Sequence, residues 1–274
     1  MRNSVEPSEG LPKVHLYEDL SSKTLDLQKI VLYLREKFGE ISVDVREPLI
    51  TATNETAEFL ARKLAETRVH DVMNPNLRIE PLLGEIEFER RLLLDSPLRL
   101  MGVLYDGFRL QAVIRELLPR EELNVGHAHI VFTNRLFGTF DRGDGRYHAH
   151  VSVYGFPSLV STTGIVEAPA KPKEYYALKQ GYAALGATAP IEELKEKFRG
   201  RFIDYDDKRL TEVMKGYVMQ ALFYHLKLDP FCDDRKCRLF NARWQEELLE
   251  AQLSQPEFCE RHQREIEKFR QLSG

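Results

Sequence analysis

Cysteine is scarce in this chain, at three of 274 residues. So small and odd a count excludes the disulfide framework of a stapled secreted domain, and it leaves metal binding or catalysis as the better use for the thiols. No apolar run is long enough to span a bilayer, and the opening MRNSVEPSEGLPK lacks the apolar centre of a signal peptide; a cytoplasmic protein without a membrane partner is expected. Long runs of one charge are also missing. With 39 basic and 43 acidic residues the net charge is −4, and strong non-specific nucleic-acid binding is not indicated. There is no internal repeat and no low-complexity segment. What is present is an ordinary soluble composition, 43% hydrophobic and 30% charged, which is enough for a sizeable core.

Residues 1–13 read as a flexible tail, and 14–274 as a single α/β domain. VHLY at 14–17 reads as a strand. The next segment, 24–39, places Leu27, Ile30, Val31, Leu34 and Phe38 at helical spacing, with Gly39 as its C-cap. ISVDVRE alternates as a strand does, and NETAEFLARKLAETRV reads as a helix with Asn54 or Thr56 near its start. A strand is expected within 97–107 and a helix over 108–119, ended by Pro119. HAHIVFTN and YHAHVSVYG then read as strands, separated by a Gly- and Asp-rich loop at 135–146. A long proline-bearing connection follows at 156–176, and from about residue 174 the pattern is helical. The fold class is therefore a mixed sheet flanked by helices, with a helical C-terminal part at about 207–274.

All three cysteines fall in FCDDRKCRLFNARWQEELLEAQLSQPEFCERH, residues 231–262. Cys232 and Cys237 form C-x4-C, and Cys259 with His262 forms C-x2-H. Two close pairs separated by a longer segment let two local turns clamp one tetrahedral ion. A spacing of three places Cys259 and His262 on one face of a helix that starts near Pro256. The alternatives are three ordinary buried cysteines with a surface histidine, or a redox pair, although C-x4-C is not the C-x-x-C redox spacing. A Cys3His zinc centre is the favoured reading. Its four protein ligands leave no place for substrate, so the zinc would be structural.

Before this cluster, KRLTEVMKGYVMQALFYHLKLDPFC carries a stripe of Leu210, Val213, Met214, Tyr217, Val218, Ala221 and Leu222, with His225 on the same face. A helix with an inward histidine running into C-x4-C, and later a PEFCE helix, resembles the archaemetzincins, zinc metallopeptidase-like proteins of the metzincin clan. The resemblance is specific over about 207–268. It implies a metzincin-like fold and a structural zinc held by Cys232, Cys237 and Cys259, with His262 in place of the family's fourth cysteine. It also implies a degenerate HExxHxxGxxH motif. His225 stands at its second histidine, Ala221 at the first and Leu222 at the general-base glutamate. Leu228 replaces the glycine, Phe231 the third histidine, and Leu239 the methionine beneath the metal. One histidine of three cannot hold a catalytic zinc, and His225 is expected to be a hydrogen-bonded core residue.

A competing site lies in the two H-x-H motifs. On a strand, His127 and His129 face one side, as do His148 and His150, and if the strands were neighbours the four would form a second metal site, with Asp141, Asp144 or Glu167 nearby. The 156–176 connection, with Ser161, Thr162, Thr163, Glu167, Lys171 and Lys173, has the polar content of a ligand-binding loop; Tyr175 and Tyr176 at its end either serve a site or pack. Three functions follow. The first is an archaemetzincin-like zinc protein that has lost HExxH catalysis and binds a peptide or protein. The second is a metal-dependent hydrolase with its site moved to the H-x-H strands, and the third a zinc-scaffolded interaction module.

Overall fold

Val14 and Leu16 face one side of the first strand, and Tyr17 the other; two separate cores grow from this alternation. The computed structural model describes residues 10–272, apart from 52, 54, 55, 95–101, 187 and 189. β1 (Lys13–Tyr17) lies parallel between β2 (Val43–Arg46) and β4 (His127–Thr133). β8 (Ser158–Ser161) continues the parallel set beside β4, and the short β7 (Ser152–Val153) closes the edge antiparallel to β8. The order is β2-β1-β4-β8-β7. A second sheet, ordered β3-β5-β6, joins β3 (Leu104–Asp106) to the antiparallel hairpin of β5 (Leu136–Asp141) and β6 (Arg146–His150).

One face of the larger sheet packs Val14, Leu16, Ala128 and Ile130 against α1 (Leu27–Phe38), α8 (Leu210–Lys227) and α10 (Glu260–Gln271). Asp26 caps α1 by accepting from the Lys29 N–H at 3.2 Å, and Gly39 ends it at φ 77°, a left-handed value that suits glycine. The opposite face packs Tyr17, Val131 and Leu159 against α2 (Ala57–Ala65), α3 (Leu83–Leu94) and α4 (Gly107–Arg115). Strands covered on both faces read as unbroken apolar runs, as in IVF at 130–132. α5 (Gly164–Glu167), α6 (Lys173–Ala184), α7 (Ile191–Lys197) and α9 (Gln245–Leu253) complete the chain, with Tyr175, Leu194, Phe198 and Phe202 in a small third cluster.

Several expectations need correction. The segment 135–146 is not a loop, because it contains β5 and the turn into β6. Gly138, which reads as a loop residue, marks close strand contact: a Cβ there would stand 2.4 Å from the His148 carbonyl oxygen. The connection 156–176 holds β8 and α5, and Ser161 is buried in the sheet, its hydroxyl donating to the Arg135 carbonyl. Four buried residues are too few to show a period, which is why this strand escapes detection. α3 has no counterpart among the elements expected from the sequence. Cys259 is the N-cap of α10, so Pro256 lies in the preceding turn rather than at the helix start. Asn54 and part of the 97–107 strand fall outside the described residues.

α8 is buried on nearly every side from Leu210 to Phe223, more than its stripe implies. It meets α9 at Gly216, where a Cβ would lie 1.8 Å from Gln252 Oε1. Gly216→Ala is expected to destabilise the protein by about 1–3 kcal/mol through overpacking. Urea unfolding checks this, and a wild-type midpoint would show that the α8–α9 contact is looser than described.

Candidate metal centre

The turn after α8 brings the first two cysteines together. The Lys236 N–H donates to Asp234 Oδ1 at 3.0 Å, the Cys237 N–H to the Asp234 carbonyl at 3.1 Å, and the Cys232 N–H to the Leu239 carbonyl at 2.9 Å. Cys259 and His262, one helical turn apart, approach from α10. Cys232 Sγ is 3.8 Å from Cys259 Sγ, and His262 Nδ1 is 3.2 Å from Cys259 Sγ and 3.5 Å from Cys237 Sγ. A zinc tetrahedron with Zn–S near 2.3 Å and Zn–N near 2.0–2.1 Å has S···S edges of about 3.8 Å and S···N edges of about 3.6 Å. The four side chains are already close to those edges, and together they can hold a metal ion. Burial raises the Cys232 thiol and pushes Cys237 up to about 12, and it lowers His262, so without a cation the thiols stay protonated and the imidazole neutral. A bound cation reverses that preference. His262 Nε2 has no hydrogen-bond partner among the described residues; the Phe223 ring, 5.4 Å away and nearly perpendicular, holds the imidazole by packing.

Arg238, next to Cys237, is a residue that sequence reasoning missed. Its buried guanidinium pairs with Glu212 of α8 and lies 3.5 Å from Glu257, which accepts from Tyr33 of α1 at 2.8 Å. The metal loop is thereby tied to two core helices. A lone arginine between Cys237 and Leu239 does not reveal partners that lie far away in the chain.

The positions that the archaemetzincin resemblance assigns to catalysis carry no ligand set. Ala221 is 2% and Leu222 1% exposed, and both belong to the core. Neither a methyl nor an isobutyl group offers a lone pair, and Phe231 offers only a ring, so these residues do not fit a catalytic zinc. His225 is half-buried, lies 5.1 Å from the Phe156 ring at a tilt of 57°, and donates from Nε2 to the Val125 carbonyl at 2.8 Å; burial lowers its pKa. Leu228, in the glycine's place, ends α8 at φ 58° and is 67% exposed.

The paired H-x-H motifs do not converge. β4 and β6 lie in different sheets, because the segment between them forms β5 and pairs with β6. His148 lies in the middle of β6, 2.7 Å from Asp144 of the turn and close to Asp141, while His150 Nε2 lies 2.9 Å from Thr139 Oγ1. Glu167 accepts instead from Tyr205, and Lys171 and Lys173 lie over aromatic rings. His127 and His129 meet His15 and Glu122. His15 Nδ1 is 2.7 Å from Asp44 Oδ1, His15 Nε2 is 2.8 Å from His127 Nδ1, and His129 Nδ1 is 3.0 Å from Tyr17 Oη. The lone His15 in VHLY has no H-x-H spacing to mark it.

Fold and site together define a mixed α/β protein with four side chains, able to hold a metal ion, gathered against a buried helix. Residues 11–269 match the model of the Probable metallopeptidase family (DUF6775), and the chain belongs to that family. Among solved structures, the archaemetzincin of Methanopyrus kandleri is similar at 13% identity, covering 97% of this chain and 98% of that one, with a TM-score of 0.42. A comparison with curated proteins finds no match.

Cys232→Ser and Cys259→Ser are each expected to lose bound metal and lower the melting temperature together, because ligand binding and folding are linked. Elemental analysis and thermal melts check this; wild-type values for both would refute the centre. Zinc uptake at pH 7 should release at least two protons, from Cys232 and Cys237, readable by calorimetry in buffers of different ionisation enthalpy. Leu228→Gly should stabilise the chain by about 1 kcal/mol, since a side chain at a left-handed position is strained; an unchanged urea midpoint would count against that strain.

Proposed function

We propose that this chain is a zinc-binding, archaemetzincin-like protein that has lost HExxH catalysis and binds a peptide or protein in the cleft where the resembled family works its chemistry. One structural zinc at Cys232, Cys237, Cys259 and His262 holds the C-terminal helices in place. The observation that carries the reading is the pair Ala221 and Leu222, packed in the core where the first zinc ligand and the general base would stand. Without those groups no residue of α8 activates a water molecule, and what remains at that end of the helix is a surface.

That surface is aromatic. Tyr154 lies 6.1 Å from Tyr224 and 5.8 Å from Phe231, and Phe156 lies 6.4 Å from Tyr224. Phe156 is 40% and Phe231 39% exposed, and Val125 and Leu228 are also open to solvent. Rings of this kind supply large contact area at small entropic cost, the usual basis of a recognition surface. His225 adds a polar edge beside Phe156. The zinc centre would act by fixing the loop that carries Phe231.

The test uses zinc-loaded protein and pools of unstructured peptides. Saturable binding without cleavage is expected, weakened at least tenfold by Phe156→Ser with Phe231→Ser, while bound zinc and melting temperature hold. Cleavage that co-purifies with the chain and is abolished by His225→Ala would overturn the proposal.

A further inference from the structure

The parallel register of β1 sets His15 level with Asp44 on one side and His129 on the other, so three side chains form one row across the sheet. A 3₁₀ turn at Arg120–Glu122 lays Glu122 over that row. Glu122 Oε2 is 3.9 Å from His15 Nε2 and 3.9 Å from His129 Nε2. We propose that His15, His129 and Glu122 form a second metal site, one that takes a divalent first-row transition ion through two imidazole nitrogens and a carboxylate.

The three donors lie within 4.8 Å of one another. A triangle of that size leaves a point about 2.5 Å or less from each corner; the His15 and His129 rings are stacked, centroids 4.7 Å apart and planes 25° apart, so reaching the 2.0–2.2 Å usual for His and carboxylate ligands takes a contraction of a few tenths of an ångström and a rotation of the rings that turns both Nε2 atoms toward that point. The surroundings have the form of an outer ligand shell. The Asp44 carboxylate only accepts, so the proton of His15 is on Nδ1 and Nε2 carries the lone pair, with Glu122 Oε2 3.9 Å away. Tyr17 Oη positions the His129 ring through Nδ1, and Arg46 grips both Glu122 oxygens at 2.6 and 2.7 Å. His15 is 0%, His129 6% and Glu122 16% exposed, so the donors are sheltered and held rather than free at the surface. Burial keeps both imidazoles neutral, the state in which histidine binds a metal.

His127 Nδ1 donates to the His15 Nε2 lone pair at 2.8 Å, and His129 Nε2 donates to the Glu122 backbone carbonyl at 3.3 Å; a cation would displace both hydrogen bonds, with the His129 proton moving to Nδ1, which faces Tyr17 Oη. Within the cluster two carboxylates, Asp44 and Glu122, face one guanidinium; Lys13 meets Asp44 at 3.6 Å from the solvent side, where water screens it. Two nitrogens and one oxygen suit Zn, Fe, Mn, Co or Ni. Unlike the Cys3His centre, three protein ligands leave positions open for water or another small ligand. The site does not depend on peptide binding at the cleft.

Co(II) titrated into full-length protein whose cysteine centre is filled with zinc provides the test, read by calorimetry and absorption. The expected result is one additional equivalent without a thiolate-to-cobalt charge-transfer band. Its affinity should fall at least tenfold in Glu122→Gln and in His129→Gln and hold in His148→Ala. Retained zinc and an unchanged melt show that a variant is folded. Should His129→Gln unfold, Glu122→Gln decides, since Glu122 lies outside the core clusters. No additional equivalent, or one that binds as tightly in folded Glu122→Gln, overturns the proposal.

Discussion

Everything in the larger core is arranged to keep water away from α8. A helix that is apolar on nearly all sides must be covered on all sides. The sheet covers it through β4, α1 lies alongside, α9 closes in at Gly216, and the cysteine loop seals the end. Its buried polar side chains are satisfied by neighbouring segments: Thr211 donates to the Thr24 carbonyl, and Gln220 accepts from Tyr154 and donates to the carbonyl of Phe240 beside the cysteine loop. The cover and the helix therefore specify one another.

The four candidate ligands lie at the weakest part of this cover. α10 is highly charged and buries only His262 and Ile266 fully, too little apolar surface to dock firmly by itself. Arg238 adds a buried ionic tie to α8 and α1, which contributes specificity more surely than stability. The four ligands with a cation would lock loop and helix at a single point, so that the free energy of metal binding becomes free energy of folding. α8 adds Ala221 and Leu222 to the same core, apolar side chains that bury without an unpaired polar group.

The aromatic cluster beside His225 and the histidine row are joined by one short segment. The segment from Glu122 to Val125 touches both, Glu122 at the histidines and the Val125 carbonyl at His225. A short turn before β4 thus borders two distinct polar environments, one shallow and aromatic, one sheltered and rich in nitrogen donors.

Local pattern was sufficient for the elements whose signals are local. The stripe of α1, the alternation of β1 and β2, the long apolar face of α8 and the paired spacing of Cys232, Cys237, Cys259 and His262 all lie within a few turns of chain, and each is legible residue by residue. That Ala221 and Leu222 offer no ligand atom is legible too, because an alanine or a leucine cannot ligate metal in any fold. What the chain alone did not reveal was pairing. β5 was hidden because its glycine answers to a partner strand, and β8 because a short strand buried on both faces has no period. The H-x-H motifs carried true information about facing, but which neighbours they face depends on register. Only the parallel alignment of β1 with β4 put His15 beside His129, and only the division into two sheets carried His148 and His150 away. Side-chain direction follows from the period of a strand, a property of its own backbone; partnership follows from hydrogen bonds between segments more than a hundred residues apart, and these exist only in the folded chain.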